Sequence, residues 1–240
     1  MTLLLHTEIL GDGEPIVFLH TGLQTGLTDF AYQSDYFRHH FKVILPDLRG
    51  HGKSIENDIS NFFEDSAMDL EETLNKLELK SVHLVGCSLG ALVGLCFAKK
   101  FPHKVKSLTI SGVLCEKPDN WNEMHKKEVE SQARLLQNKE AANYFDNIHN
   151  TDWRQFLHRA KDEHWYPFYV TKDLDGIGAP VLFIVGEGNT AETKGATLYP
   201  LLKKNVHVSI IPFASHLVHC EQPEIYTKIL EVFFNKIENK

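Results

Sequence analysis

The chain of 240 residues alternates short, nearly unbroken apolar runs with longer stretches of helical periodicity. Ile16-Val17-Phe18-Leu19, Lys42-Val43-Ile44-Leu45, Ser81-Val82-His83-Leu84-Val85 and the runs over 105–110, 179–185 and 206–211 are β-branched and apolar, as strands buried on both faces should be. Between them the spacing predicts helices over 28–37 and 62–79, the latter with Asp69, Glu71, Glu72 and Lys76 on a solvated face. Ala91 to Lys100 reads as a packed helix stopped at Phe101-Pro102, and a last helix runs from Pro223 to about Ile237. The first segment, Thr2 to Leu10, ends at Gly11-Asp12-Gly13, which predicts a hairpin into the Ile16 strand. Strand and helix in alternation imply a mostly parallel sheet with helices on both faces.

The pattern changes from about Cys115 to Asp173. This stretch is charged and helix-forming and carries Trp121, Tyr144, Phe145, Trp153, Phe156, Trp165, Tyr166, Phe168 and Tyr169. It is expected to form two to four short helices inserted between two strands, so that 1–114 and 174–240 make the core and 115–173 a helical cap. Its aromatics could line an apolar acyl or ring pocket, but an insertion this small needs most of them to bury its own helices.

Composition narrows the function classes. At 42% hydrophobic and 24% charged the chain has material for one large core. A formal charge of −7 argues against a surface that neutralises phosphates, so nucleic acid is not an expected partner. Cys87, Cys96, Cys115 and Cys220 are scattered without metal-ligand spacing, and no disulfide framework, metal or organic cofactor is expected. Leu3-Leu4-Leu5 lacks a basic leader and no long apolar stretch follows, so the expectation is a soluble, cytoplasmic protein without membrane insertion. Oligomeric state leaves no mark in the pattern.

Two nucleotide motifs fail on inspection. Gly11-x-Gly13 has Ile16 where a dinucleotide fingerprint requires its third glycine, and Gly52-Lys53-Ser54 has Asp47 where a phosphate loop requires its first. Gly86-Cys87-Ser88-Leu89-Gly90 is different, because a strand precedes it and a helix follows. A turn that sharp strains its central residue and leaves no room for side chains at its flanks, so the glycines have a steric purpose and Ser88 is held out at the carboxyl edge of a sheet.

That strand-turn-helix resembles the nucleophile elbow of the α/β-hydrolase superfamily, and the segment Asp47-Leu48-Arg49-Gly50-His51-Gly52-Lys53-Ser54 is similar to a loop of the same family. The resemblance implies an α/β-hydrolase fold with a small helical cap, and a structural role for Asp47 and His51. By position it assigns Ser88 as nucleophile, and His216, in a segment similar to the family's carboxy-terminal His segment, as general base. Gly22, in the loop His20-Thr21-Gly22-Leu23, and Leu89 would supply the two oxyanion-hole amides.

The third member departs from the pattern. Where the family ends a strand with Gly-x-x-Asp, this chain has Gly186-x-x-Asn189, an uncharged side chain at the acid position. Asn189 itself, a carboxylate of the same loop (Glu187 or Glu192) or Glu116 could orient His216. His219 and Cys220 beside His216 read as pocket wall and packing. The expected activity is a serine esterase acting on a small or medium ester, thioester or similar acyl compound, with amide or carbon–carbon bond hydrolysis open to the same fold. Haloalkane dehalogenation is disfavoured because the nucleophile position holds serine. Asn189 motivates the alternative of a ligand-binding or signalling protein with weak turnover.

Overall fold

The computed structural model describes residues 2–238. In chain order it forms β1 (Thr7–Leu10), β2 (Glu14–Leu19), α1 (Gly26–Asp29), α2 (Ala31–Phe37), β3 (Phe41–Pro46), α3 (Phe62–Lys76), β4 (Val82–Cys87) and α4 (Leu89–Lys100). After β5 (Val105–Ser111) come α5 (Trp121–Gln137), α6 (Lys139–Ile148), α7 (Arg154–Arg159) and α8 (Phe168–Thr171). The chain then returns through β6 (Val181–Gly186), α9 (Thr190–Thr193), α10 (Gly195–Leu202), β7 (Val206–Ile211), α11 (Val218–Glu221) and α12 (Pro223–Glu238). The seven strands make one sheet in the order β1-β3-β2-β4-β5-β6-β7, parallel except for the β1–β3 pair. This is an α/β-hydrolase fold.

The unbroken apolar runs are explained by burial on both faces. Along β2, Val17 and Leu19 join one core with α3 and α4, while Ile16 and Phe18 join a second with α2 and α12. β4 and β6 divide in the same way, with Leu84 and Phe183 on the first side and Val85 and Ile184 on the second. Alternation of period two thus feeds two apolar layers and leaves no polar face. Helix α4 is buried from Leu89 to Ala98, which accounts for its almost uniformly apolar sequence.

Two expectations need correction. β1 and β2 do not form a hairpin; β1 pairs antiparallel with β3, which lies between them. Gly11 and Gly13 still turn the chain, but through positive φ (+72° and +114°) against the 38–41 backbone, where a Cβ on Gly11 would lie 2.1 Å from the Arg38 carbonyl oxygen. The helix expected over 28–37 is broken at Phe30, whose buried ring packs on Phe18 at 5.1 Å while its backbone leaves helical geometry (φ −94°, ψ +34°).

Candidate active site

Register brings the site together. Leu19 pairs with Gly86, and Gly86 with Ile110, so the carboxyl ends of β2, β4 and β5 lie side by side, and the loops that follow them meet at one edge. Between β4 and α4, Ser88 has φ +52° and ψ −118°, a conformation that costs a non-glycine residue energy and persists because its surroundings hold it. Its N–H donates to the Ser111 carbonyl (2.9 Å), and its carbonyl accepts from Leu92 N–H (3.1 Å). A Cβ on Gly86 would lie 2.6 Å from Gly90 backbone, and one on Gly90 would lie 2.1 Å from the Leu19 carbonyl oxygen. The glycines are therefore steric necessities.

Ser88 Oγ lies 3.0 Å from His216 Nε2, across 128 residues of sequence. The other ring nitrogen, Nδ1, lies 2.6 Å from Oε1 of Glu192, whose side chain is only 4% exposed. A carboxylate only accepts, so the Nδ1 proton donates to Glu192 and Nε2 is left with a lone pair toward the serine hydroxyl. Burial pulls the His216 pKa down, but the hydrogen bond and charge of Glu192 outweigh it and hold the imidazole above its ordinary value.

Among the described residues, Asn189 makes no hydrogen bond to His216. Its Oδ1 accepts from Glu192 N–H (3.3 Å) and so caps α9 at its N-terminus, with Glu192 one turn further on. The Asn189 N–H is already donated to the Gly186 carbonyl (3.2 Å), so Glu192 does not fold back to complete a capping box and extends to the histidine instead. Glu187 points elsewhere and accepts from Phe213 N–H (2.9 Å), while Glu116 faces Lys194 at 3.6 Å. The amide at 189 holds the short helix that carries the carboxylate.

Leu89 N–H belongs to the first turn of α4, where amides have no intrahelical acceptor. Gly22 and Leu89 line the same cavity as Ser88. A Cβ on Gly22 would meet only Leu89 Cδ2, at 4.0 Å, so the protein itself does not require glycine there. Asp47 and His51 lie outside this constellation. Asp47 accepts from Gly26 N–H and Lys53 N–H (2.9 Å each), and His51 is fully buried.

The cavity over Ser88 measures about 840 Å³. The segment between β5 and β6 roofs it with Trp121, Met124, His125, Glu128 and Gln132 of α5 and with Phe156, Trp165 and Tyr166. Trp153 and Phe145 pack on each other in the core instead (4.9 Å). Asp29, Glu128, Asp162 and Glu192 line the cavity, and among the described residues no Lys or Arg does. Asp29 is paired with His219 (2.9 Å), and Cys220 lies on the wall beside them. Asp29 gave no signal in the sequence, being one carboxylate among many.

The model of the alpha/beta hydrolase fold family matches residues 14–152, more than half of the chain. The chain belongs to that family. Among curated relatives of this hydrolase-family chain, the mouse serine hydrolase BPHL is 34% identical over 113 residues, which are 45% of this chain and 39% of that protein. The chain spans less than half the length of the curated relatives it matches at this level. Among solved structures, NosK from Streptomyces actuosus superposes with a TM-score of 0.82 at 23% identity, covering 95% of this chain and 100% of that one. A thermophilic esterase from Thermogutta terrifontis superposes with a TM-score of 0.73 at 22% identity, over 97% and 93%. At such identities these two likenesses speak for the hydrolase fold alone.

Proposed function

We propose that this protein is a serine hydrolase that cleaves small or medium ester or thioester-type acyl compounds through an acyl-enzyme on Ser88. The supporting observation is the continuous line of contacts from Ser88 Oγ to His216 Nε2 (3.0 Å) and from His216 Nδ1 to Glu192 (2.6 Å). A serine hydroxyl is a poor nucleophile unless a base takes its proton as it attacks. His216 Nε2 accepts that proton while Ser88 Oγ bonds to the carbonyl carbon, and Glu192 stabilises the imidazolium so formed. The Gly22 and Leu89 amides donate to the oxyanion, and collapse of the tetrahedral adduct expels the alcohol or thiol, which takes the proton from His216. Water then attacks the acyl-enzyme by the same route and releases the acid and Ser88.

The contact of Glu192 with His216 supports the reading that the charge missing at 189 is supplied three residues on. This favours a turning-over enzyme over a binding-only relative. Asp29 and Glu192 are paired with His219 and His216, but Glu128 and Asp162 line the cavity with no Lys or Arg among the described lining residues, which favours acyl groups that are neutral or positively charged over a substrate carboxylate. The test is labelling with a fluorophosphonate probe and hydrolysis of short p-nitrophenyl esters, with Ser88→Ala as control. Both signals should vanish in the variant; wild-type protein that neither labels nor exceeds the variant would sink the proposal.

A further inference from the structure

Three buried histidines surround the loop that carries Gly22, and the route from Ser88 to Glu192 uses none of them. His20, His51 and His149 are 0%, 0% and 6% exposed, and the His51 ring lies 4.9 Å from that of His20 and 5.6 Å from that of His149. Each ring binds backbone at both nitrogens. His20 Nε2 accepts from Leu48 N–H (2.9 Å), so its Nδ1–H donates to the Thr21 carbonyl (2.8 Å). His51 Nε2 accepts from Leu23 N–H (3.3 Å), and its Nδ1–H donates to the Arg49 carbonyl (3.1 Å). His149 Nδ1 accepts from Gly52 N–H (2.7 Å), and its Nε2–H donates to the Leu23 carbonyl (2.9 Å). A backbone N–H needs a lone pair to receive it, so each ring is neutral and its tautomer is set by its partners. Burial pushes all three pKa values below the ordinary value in the same sense.

These contacts fall on both sides of Gly22. The Thr21 N–H donates to Asp29 Oδ2 (2.6 Å) and its carbonyl accepts from His20, which sets the peptide plane that contains the Gly22 N–H. Leu23, on the other side, has φ +64°, an uncommon conformation for a leucine, and both its backbone polar groups are held by imidazoles. His20 and His51 stand in the same half of the chain as this loop. His149 caps the carboxyl end of α6 and reaches it across 126 residues.

We propose that His149 is a positioning residue that ties the helical segment between β5 and β6 to the Thr21–Leu23 loop and thereby holds the Gly22 N–H toward the oxyanion. This rests on the serine-hydrolase reading, in which Gly22 is an oxyanion donor. The strain at Leu23 gives the loop a reason to relax once the carbonyl contact is lost, and relaxation turns the Gly22 peptide. Losing one oxyanion donor outright costs about 10²–10³ in kcat, so partial misorientation should cost about 10- to 100-fold.

The test compares three variants on a neutral p-nitrophenyl ester. His149→Leu fills most of the ring's volume without either hydrogen bond and should lower kcat by about 10- to 100-fold with KM within about threefold, because only transition-state binding is touched. His149→Gln keeps a donor for the Leu23 carbonyl and should restore kcat to within about threefold of wild type. Thr151→Val removes another contact between the same segment and the 47–54 loop, Thr151 Oγ1 to the Gly50 carbonyl (2.7 Å), without touching Leu23, and should keep its kcat. Equal kcat in His149→Leu and wild type, equal losses in His149→Leu and Thr151→Val, or no recovery in His149→Gln would overturn the proposal while leaving the hydrolase reading intact. If His149→Leu does not fold, His149→Asn replaces it; too short to reach both Leu23 and Gly52, it must show the same kcat loss, and full kcat refutes the proposal. Wild-type protein that hydrolyses no ester and takes no fluorophosphonate fails the hydrolase reading first, and this proposal with it.

Discussion

Replacing Glu192 by glutamine removes the charge beside His216 and keeps the volume of a side chain that is 4% exposed. At a charge separation of about 4 Å and an effective dielectric constant near 20, a carboxylate stabilises imidazolium by about 4 kcal/mol. The His216 side chain is 44% exposed, so solvent screening reduces this to about 2–3 kcal/mol. That is a factor of about 30–150 in turnover, and a tautomer no longer held with Nδ1 protonated carries the expected fall in kcat to about 10²–10³. The pH profile should move as well. Burial lowers the His216 pKa, and the hydrogen bond and charge of Glu192, with a smaller push from the charge of Glu128, lift it above the ordinary value. The base works in its neutral form, so activity appears as pH rises through this pKa, and the acid limb should lie at lower pH in Glu192→Gln than in the wild type. Kinetics of p-nitrophenyl butyrate hydrolysis from pH 5 to 9 measure both effects. Turnover within about threefold of wild type, or an acid limb that stays in place, would refute the assignment of Glu192 as orienter. Asn189→Asp provides the contrast: an N-cap that is equally good and makes no hydrogen bond to His216 should leave kcat within about threefold, whereas a large gain would return the acid role to position 189.

Two further outcomes follow from sterics and charge. Gly90→Ala places a Cβ 2.1 Å from the Leu19 carbonyl oxygen, a backbone atom in a central strand, and should destabilise by about 4 kcal/mol or more in thermal melting, whereas Gly22→Ala, with its nearest contact at 4.0 Å, should melt within a few degrees of wild type. Matched p-nitrophenyl esters should separate by charge, with the neutral butyrate turned over about tenfold or more faster in kcat/KM than the hemisuccinate at low salt, and equal rates would contradict a role for the acidic lining.

Much of the molecule was legible from local pattern because local physics decides it. Apolar runs fed by two faces become central strands, helical spacing gave α3, α4 and α12 to within a few residues, and Gly86 and Gly90 betray a turn that no other residue can make. The order of strands was less accessible. A hairpin and a strand pair separated by β3 place the same apolar residues on the same faces, so periodicity does not distinguish them. Nor does it reveal the break at Phe30, where packing on Phe18 overrides helical propensity. The site divides along the same line. Ser88 and His216 stand in recognisable local settings, and the tertiary structure brings their side chains to 3.0 Å. Which carboxylate meets the histidine depends on a four-residue helix, on an amide that caps it and on a backbone N–H already donated to Gly186. Of the three imidazoles around Gly22, His20 belongs to its own loop, His51 follows 28 residues after Leu23 and His149 reaches it across 126 residues, and all three bind only backbone, which has no signature in sequence. Local sterics and periodicity therefore determined the turn at Ser88 and its strand, while contacts between residues far apart in the chain decided what faces His216 and what holds the Gly22 loop in place.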